Sequence, residues 1–89
     1  PFDLAYWRLS SGVEVDFVVG DGEVAVEVKA KDRVTPHDTR HLLQFRKDHP
    51  DVRQLILVAY ESEVRITDNG VHILPWRNFI DLLWSGGIV

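Results

Sequence analysis

The chain has 89 residues, of which 45% are hydrophobic and 27% charged, with a formal net charge of −4. That suffices for one domain with a small packed core and is too little for two. The absence of cysteine excludes disulfides, thiol nucleophiles and cysteine-ligated zinc. No apolar run reaches the roughly 20 residues that a membrane span needs, and the acidic balance argues against a protein that coats nucleic acid.

The chain starts at Pro1 and contains no methionine. It is therefore expected to be a piece of a longer protein, with residues 1–89 as a single domain. With no cysteine and no visible signal peptide, a cytoplasmic location is expected.

Residues 5–9, "AYWRL", have the β formers of a short strand, and "SSG" after them signals a turn. Residues 13–19 alternate strictly. Val13, Val15, Phe17 and Val19 share one face; Glu14, Asp16 and Val18 share the other. "GDG" turns the chain, and residues 23–30 alternate again, with Val24, Val26 and Val28 opposed to Ala25, Glu27 and Lys29. A helix is predicted from "VTPHD", with Thr35 as N-cap, Pro36 in the first helical position and Asp38 in the first turn. It ends near His49, ahead of Pro50. The near-continuous apolar run in residues 52–60 predicts a strand covered on both faces. "VRIT-DNG-VHIL" predicts a hairpin turning at Asn69–Gly70. Residues 75–84 predict a closing helix, in which the apolar positions Trp76, Phe79, Ile80, Leu83 and Trp84 recur at helical spacing. The order is β-β-β-α-β-β-β-α, an α/β (α+β) fold with a mixed sheet flanked by helices.

A two-residue loop at Asp21–Gly22 makes paired residues of the first hairpin sum to 43, so that Phe17 faces Val26 and Val19 faces Val24 without a slip. The same register sets Asp16 opposite Glu27 and Glu14 opposite Lys29. Directly opposed carboxylates destabilise a strand pair unless something compensates. A divalent cation does so, since hard oxygen ligands suit Mg²⁺ or Mn²⁺. So does an ammonium, and Lys29 lies two residues from Glu27. So does plain solvent exposure, which is what alternating charge on the wet face of a hairpin ordinarily means. Of these, the cation arrangement suits phosphodiester hydrolysis.

Asp16, a turn, and Glu27-Val28-Lys29 closing the next strand form a D…E-x-K pattern. Followed by a helix and an apolar strand, it resembles the PD-(D/E)xK nuclease superfamily, with its restriction-endonuclease-like core. More narrowly, "YWRLSSGVEVDFVV…VAVEVKAKDRV…ILPWRNFIDLLW" is similar to the C-terminal domain of uncharacterised bacterial and archaeal AAA+ ATPases. The resemblance implies a metal-dependent nuclease domain acting on DNA. Asp16 and Glu27 would be ligands to Mg²⁺ or Mn²⁺ and Lys29 the catalytic lysine, with Glu14 and Gln44 as accessory residues. ATP would be bound only by an upstream ATPase domain, because this chain has no glycine-rich phosphate loop. The superfamily also uses an acidic residue on a helix ahead of the first core strand; only residues 1–5 precede that strand here, which is too few for one. The rival expectation is a non-catalytic module that binds DNA or protein and regulates the ATPase.

His37, His41, Gln44 and Asp48 form a polar stripe at helical spacing, expected to face solvent. Lys29, Lys31, Arg33, Arg40, Arg46 and Lys47 are candidates for a basic rim along a phosphate backbone. The tryptophans are candidates for base stacking, with Trp76 and Trp84 expected instead to be buried.

Overall fold

A computed structural model describes residues 7–9, 15–19 and 23–85. Among the described residues, six strands form one mixed sheet in the order β1-β2-β3-β4-β6-β5. They are β1 (Trp7–Leu9), β2 (Phe17–Val19), β3 (Val24–Val28), β4 (Gln54–Ala59), β5 (Arg65–Ile66) and β6 (Val71–Pro75). A 3₁₀ turn over Pro36–Thr39 leads into α1 (Arg40–Asp48), and α2 (Trp76–Ser85) follows β6 directly. The α+β class, the mixed sheet and the flanking helices agree with the expectation.

From Phe17 onward the β2–β3 register is the expected one, with Phe17 against Val26 and Val19 against Val24, but the pairing stops there and Asp16 is not laddered opposite Glu27. The turn at residues 20–22, and Glu14, lie outside the described residues. Strands β3, β4 and β6 are parallel to one another, so their carboxyl ends emerge at one end of the sheet. Parallel central strands are covered on both faces, and here α1 and α2 supply the covers. On the α1 side, Val18, Ala25, Leu55 and Leu57 pack with Leu42 and Phe45. On the α2 side, Val24, Val26, Ile56 and Val58 pack with Phe79, Leu82 and Leu83. The second face of the β2–β3 hairpin is therefore not wet, because α1 lies across it.

Three details depart from the sequence reading. Strand β2 is shorter than residues 13–19, because the chain bends at Asp16. Val15 leaves the side of Phe17 and joins the α1-side core, where it is buried. Unbroken alternation would have left it on the far side of the sheet from Leu42. The β5–β6 connection is a three-residue loop, 68–70, and not a two-residue Asn-Gly turn. Thr67 and Val71 close it, the Gly70 N–H donates to the Thr67 carbonyl at 2.9 Å, and the only positive φ described is that of Gly70, at +85°. A two-residue type I′ turn needs positive φ at both central residues, whereas a type I turn followed by a left-handed glycine needs it at one. Finally, Trp76 and Trp84 of α2 are exposed. Ile80 is exposed as well, and the helix meets the sheet through Phe79, Leu82 and Leu83, which are partly buried, since its inward stripe is narrower than its apolar composition suggests.

Two ionic clamps fix the connection from β3 to α1. In one, Asp38 accepts from the Thr35 N–H at 2.8 Å and from Lys31 Nζ at 2.7 Å, which holds its carboxyl down from 3.8 to about 2, the Lys31 bond being the larger cause. In the other, Glu61 takes a two-pronged contact from Arg65 at 2.8 Å and accepts from the Val34 N–H at 2.7 Å, while Arg65 also donates to the Val34 carbonyl at 2.9 Å. Arg65 first, then the Val34 N–H, lower the Glu61 carboxyl from 4.5 to about 2 against the opposing effect of burial. Both carboxylates have depressed folded-state pKa values, so their stabilisation is present above the unfolded values and is lost as pH falls towards 2. Denaturation across that range checks this. Asp38→Asn and Glu61→Gln are each expected to cost on the order of 2 kcal/mol at neutral pH and to flatten the acid limb of the stability profile. Truncating the fully buried Leu57 to alanine is expected to cost about 2–5 kcal/mol in the same assay.

Candidate functional site

Glu27 is the only ionisable residue within β3. Alternation aims it at the α1 side, between Ala25 and the exit of the strand, and it pairs in register with Leu57 of β4. It is 4% exposed. One oxygen, Oε2, lies 3.2 Å from Lys29 Nζ and 3.4 Å from His41 Nδ1. The other, Oε1, is buried with no hydrogen-bond partner. An unpaired oxygen of a buried carboxylate carries a desolvation cost that natural proteins rarely leave uncompensated. That atom is the one acceptor position of the Glu27 carboxylate that the described side chains leave open.

Asp16 arrives from the neighbouring strand. Backbone N–H groups along β3 alternate in direction. That of Lys29 donates to the Val58 carbonyl of β4, so that of Val28 points towards β2. The bend at Asp16 removes the backbone acceptor that a continued ladder would have offered. Asp16 Oδ2 replaces it, accepting from the Val28 N–H at 2.7 Å. The carboxylate thus ends the ladder and is held beside the residue that separates Glu27 from Lys29. One of its oxygens is committed to the backbone, and a carboxylate has acceptor capacity on both.

Asp16, Glu27 and Lys29 are therefore gathered at the carboxyl end of β3. Gln44 is not with them; it lies on the outer face of α1, exposed, and donates to Asp48 at 3.3 Å. Glu14 lies outside the described residues. The polar stripe of the sequence predicts a solvent-facing His41. It instead borders the buried face and reaches Glu27. The available signal was its position, four residues before buried Phe45 and next to buried Leu42, which puts it on the edge of the inward stripe. His49 stacks on Phe45 with ring centres 4.1 Å apart. Among the described residues, no three His, Asp or Glu side chains converge as a metal cage. Most members of the expected basic rim have local partners: Lys31 is bound to Asp38, Arg40 to the His37 carbonyl and Arg46 to the Asn69 carbonyl. Among the described residues, no helix is long and apolar enough to cross a membrane.

A family model described as a domain of unknown function, DUF4143, matches residues 1–79, and the chain belongs to that family. The family is commonly a C-terminal domain of AAA-type ATPases. No curated protein and no solved structure matches the chain.

The structural duty of Asp16 is separable from any chemical one. Asp16→Ala removes the acceptor of the Val28 N–H and is expected to cost about 1–3 kcal/mol. Asp16→Asn keeps an amide oxygen in place and is expected to recover most of that loss. Urea titrations of the two variants check the difference.

Proposed function

We propose that this domain is a PD-(D/E)xK-type, metal-dependent nuclease module with a restriction-endonuclease-like core, hydrolysing DNA phosphodiester bonds and joined to an AAA-type ATPase domain in the longer protein. The observation that supports this best is the buried, unpartnered Oε1 of Glu27, set beside Lys29 and beside the residue capped by Asp16. The donor set is all oxygen, which fits Mg²⁺ or Mn²⁺. Glu27 Oε1 and the second oxygen of Asp16 are the groups that would hold the ion. When bound, such an ion polarises a phosphate and acidifies a coordinated water.

The chain's own residues have distinct parts. Glu27 contributes a carboxylate shielded from solvent, where its charge acts over a low local dielectric. Asp16 is oriented by the Val28 N–H and does not have to be ordered when substrate arrives. Lys29 is partly exposed and two residues from Glu27 on the same side of the strand. Its ammonium is tethered by Oε2, within reach of the solvent at the strand end. There it can neutralise a phosphate oxygen or orient the attacking water.

One observation favours the alternative, a non-catalytic DNA- or protein-binding module that regulates the ATPase. Asp16 already has a structural partner in the Val28 N–H, which accounts for its position without chemistry. The full-length protein, assayed on DNA with Mg²⁺ or Mn²⁺, separates the two readings. Under the nuclease reading, Lys29→Ala and Glu27→Gln remain folded and lose cleavage by about a hundredfold or more. Under the alternative, DNA affinity is salt-dependent and neither variant changes any nuclease rate. Cleavage that persists undiminished in both variants rules out this site.

A further inference from the structure

At the carboxyl ends of β3 and β4, on the side of the sheet that carries α2, there is an open pocket of about 390 Å³ lined by Val28, Lys29, Val58, Ala59, Tyr60 and Trp76. Its volume lies in the range of small-ligand sites. The lining is mainly apolar, yet the two aromatic residues are far from buried, Tyr60 being 60% exposed and Trp76 48%. Both residues border one concavity, with the Arg77 guanidinium 5.4 Å from the centre of the Trp76 ring, and exposed aromatic rings grouped in this way offer a platform on which flat rings stack.

Lys29 joins the pocket to the carboxylates. It belongs to the pocket lining, while its ammonium contacts Glu27 on the α1 side of the sheet, around the strand end from the pocket. A ligand that spans this edge meets an apolar aromatic cleft at one end and a cation beside carboxylates at the other. A nucleotide has those two halves, a flat base and an anionic phosphate. In duplex DNA the base faces are covered by their neighbours, so only an unpaired base can enter such a cleft.

We propose that the Tyr60–Trp76 pocket takes up an unpaired nucleobase of a DNA strand whose adjacent phosphate meets Lys29, making single-stranded DNA or a frayed end the preferred ligand. This rests on the proposed nuclease reading for the role of the phosphate, but the stacking itself is measured without cleavage. Tyr60 and Trp76 are specificity-determining residues in this arrangement, and neither belongs to the carboxylate cluster.

The test is a titration of the full-length protein with a short oligo(dT) and with a duplex of equal length, in chelator, read by tryptophan fluorescence and by anisotropy of labelled DNA. Expected are quenching by oligo(dT) that is absent in Trp76→Ala, preference for oligo(dT) over duplex, and a loss of oligo(dT) affinity of about tenfold in both Tyr60→Ala and Trp76→Ala. Circular dichroism establishes that the variants are folded, and Tyr60→Ala serves if Trp76→Ala disturbs α2. Equal affinity of wild type and both variants for oligo(dT), or no affinity of wild type for it, overturns the proposal. If oligo(dT) binding behaves as expected while no DNA is ever cleaved, the nuclease reading fails and the base pocket stands.

Discussion

A carboxylate cannot lie inside a sheet covered on both faces without help, and Glu27 lies there. Ala25 and Val26 of the same strand are fully buried, and α1 closes the face towards which Glu27 points. The surroundings of Glu27 are organised around that fact. Lys29 folds back to it, His41 approaches from α1, and the strand ends one residue later, so that the charge lies near the exit and not at the centre. An apolar residue of similar size would remove the desolvation cost and pack against Leu57. Retaining a carboxylate with one idle oxygen is explicable if the oxygen has a ligand, which is the physical basis of the functional proposal.

The β2 bend contributes to the same end of the sheet. It lets Val15 reach the α1-side core and at the same time turns Asp16 into the acceptor for Val28. One departure from regular alternation thereby serves packing and site assembly together. Beyond the strand exit, the Asp38 and Glu61 clamps hold the connection into α1 and so fix where His41 stands relative to Glu27. Neither clamp touches the carboxylate cluster.

Much of the fold was legible because period-2 alternation and turn residues act locally. The hairpin register followed from where the valines fell, and the doubly covered β4 from its unbroken apolar run. What was not legible depended on partners distant in sequence. The hydrophilic face of β3 reads as wet until α1 is laid over it. Val15 obeys the alternation as a letter and violates it as a position, because the bend is set by the core beyond it. Trp76 and Trp84 have the spacing of an inward stripe, and only the docking of Phe79, Leu82 and Leu83 on the sheet turns them outward. At the site, the D…E-x-K pattern marks Asp16, Glu27 and Lys29, while His41 sits where the polar stripe of α1 meets the buried face, so its reach to Glu27 depends on how the helix docks.

The direct passage from β6 into α2 bears on the entropy of the molecule's carboxyl-end surface. Pro75 is the last residue of the strand and Trp76 the first of the helix, so no loop lies between sheet and ring. Tyr60 follows β4 just as closely, and its backbone N–H is bonded to the Lys31 carbonyl at 2.8 Å. The backbone freedom of both aromatic residues was surrendered when the sheet formed. What remains to each is rotation about two side-chain bonds. A surface so anchored has little left to lose when something settles on it, so contacts of ordinary strength there are converted into affinity with unusually small loss.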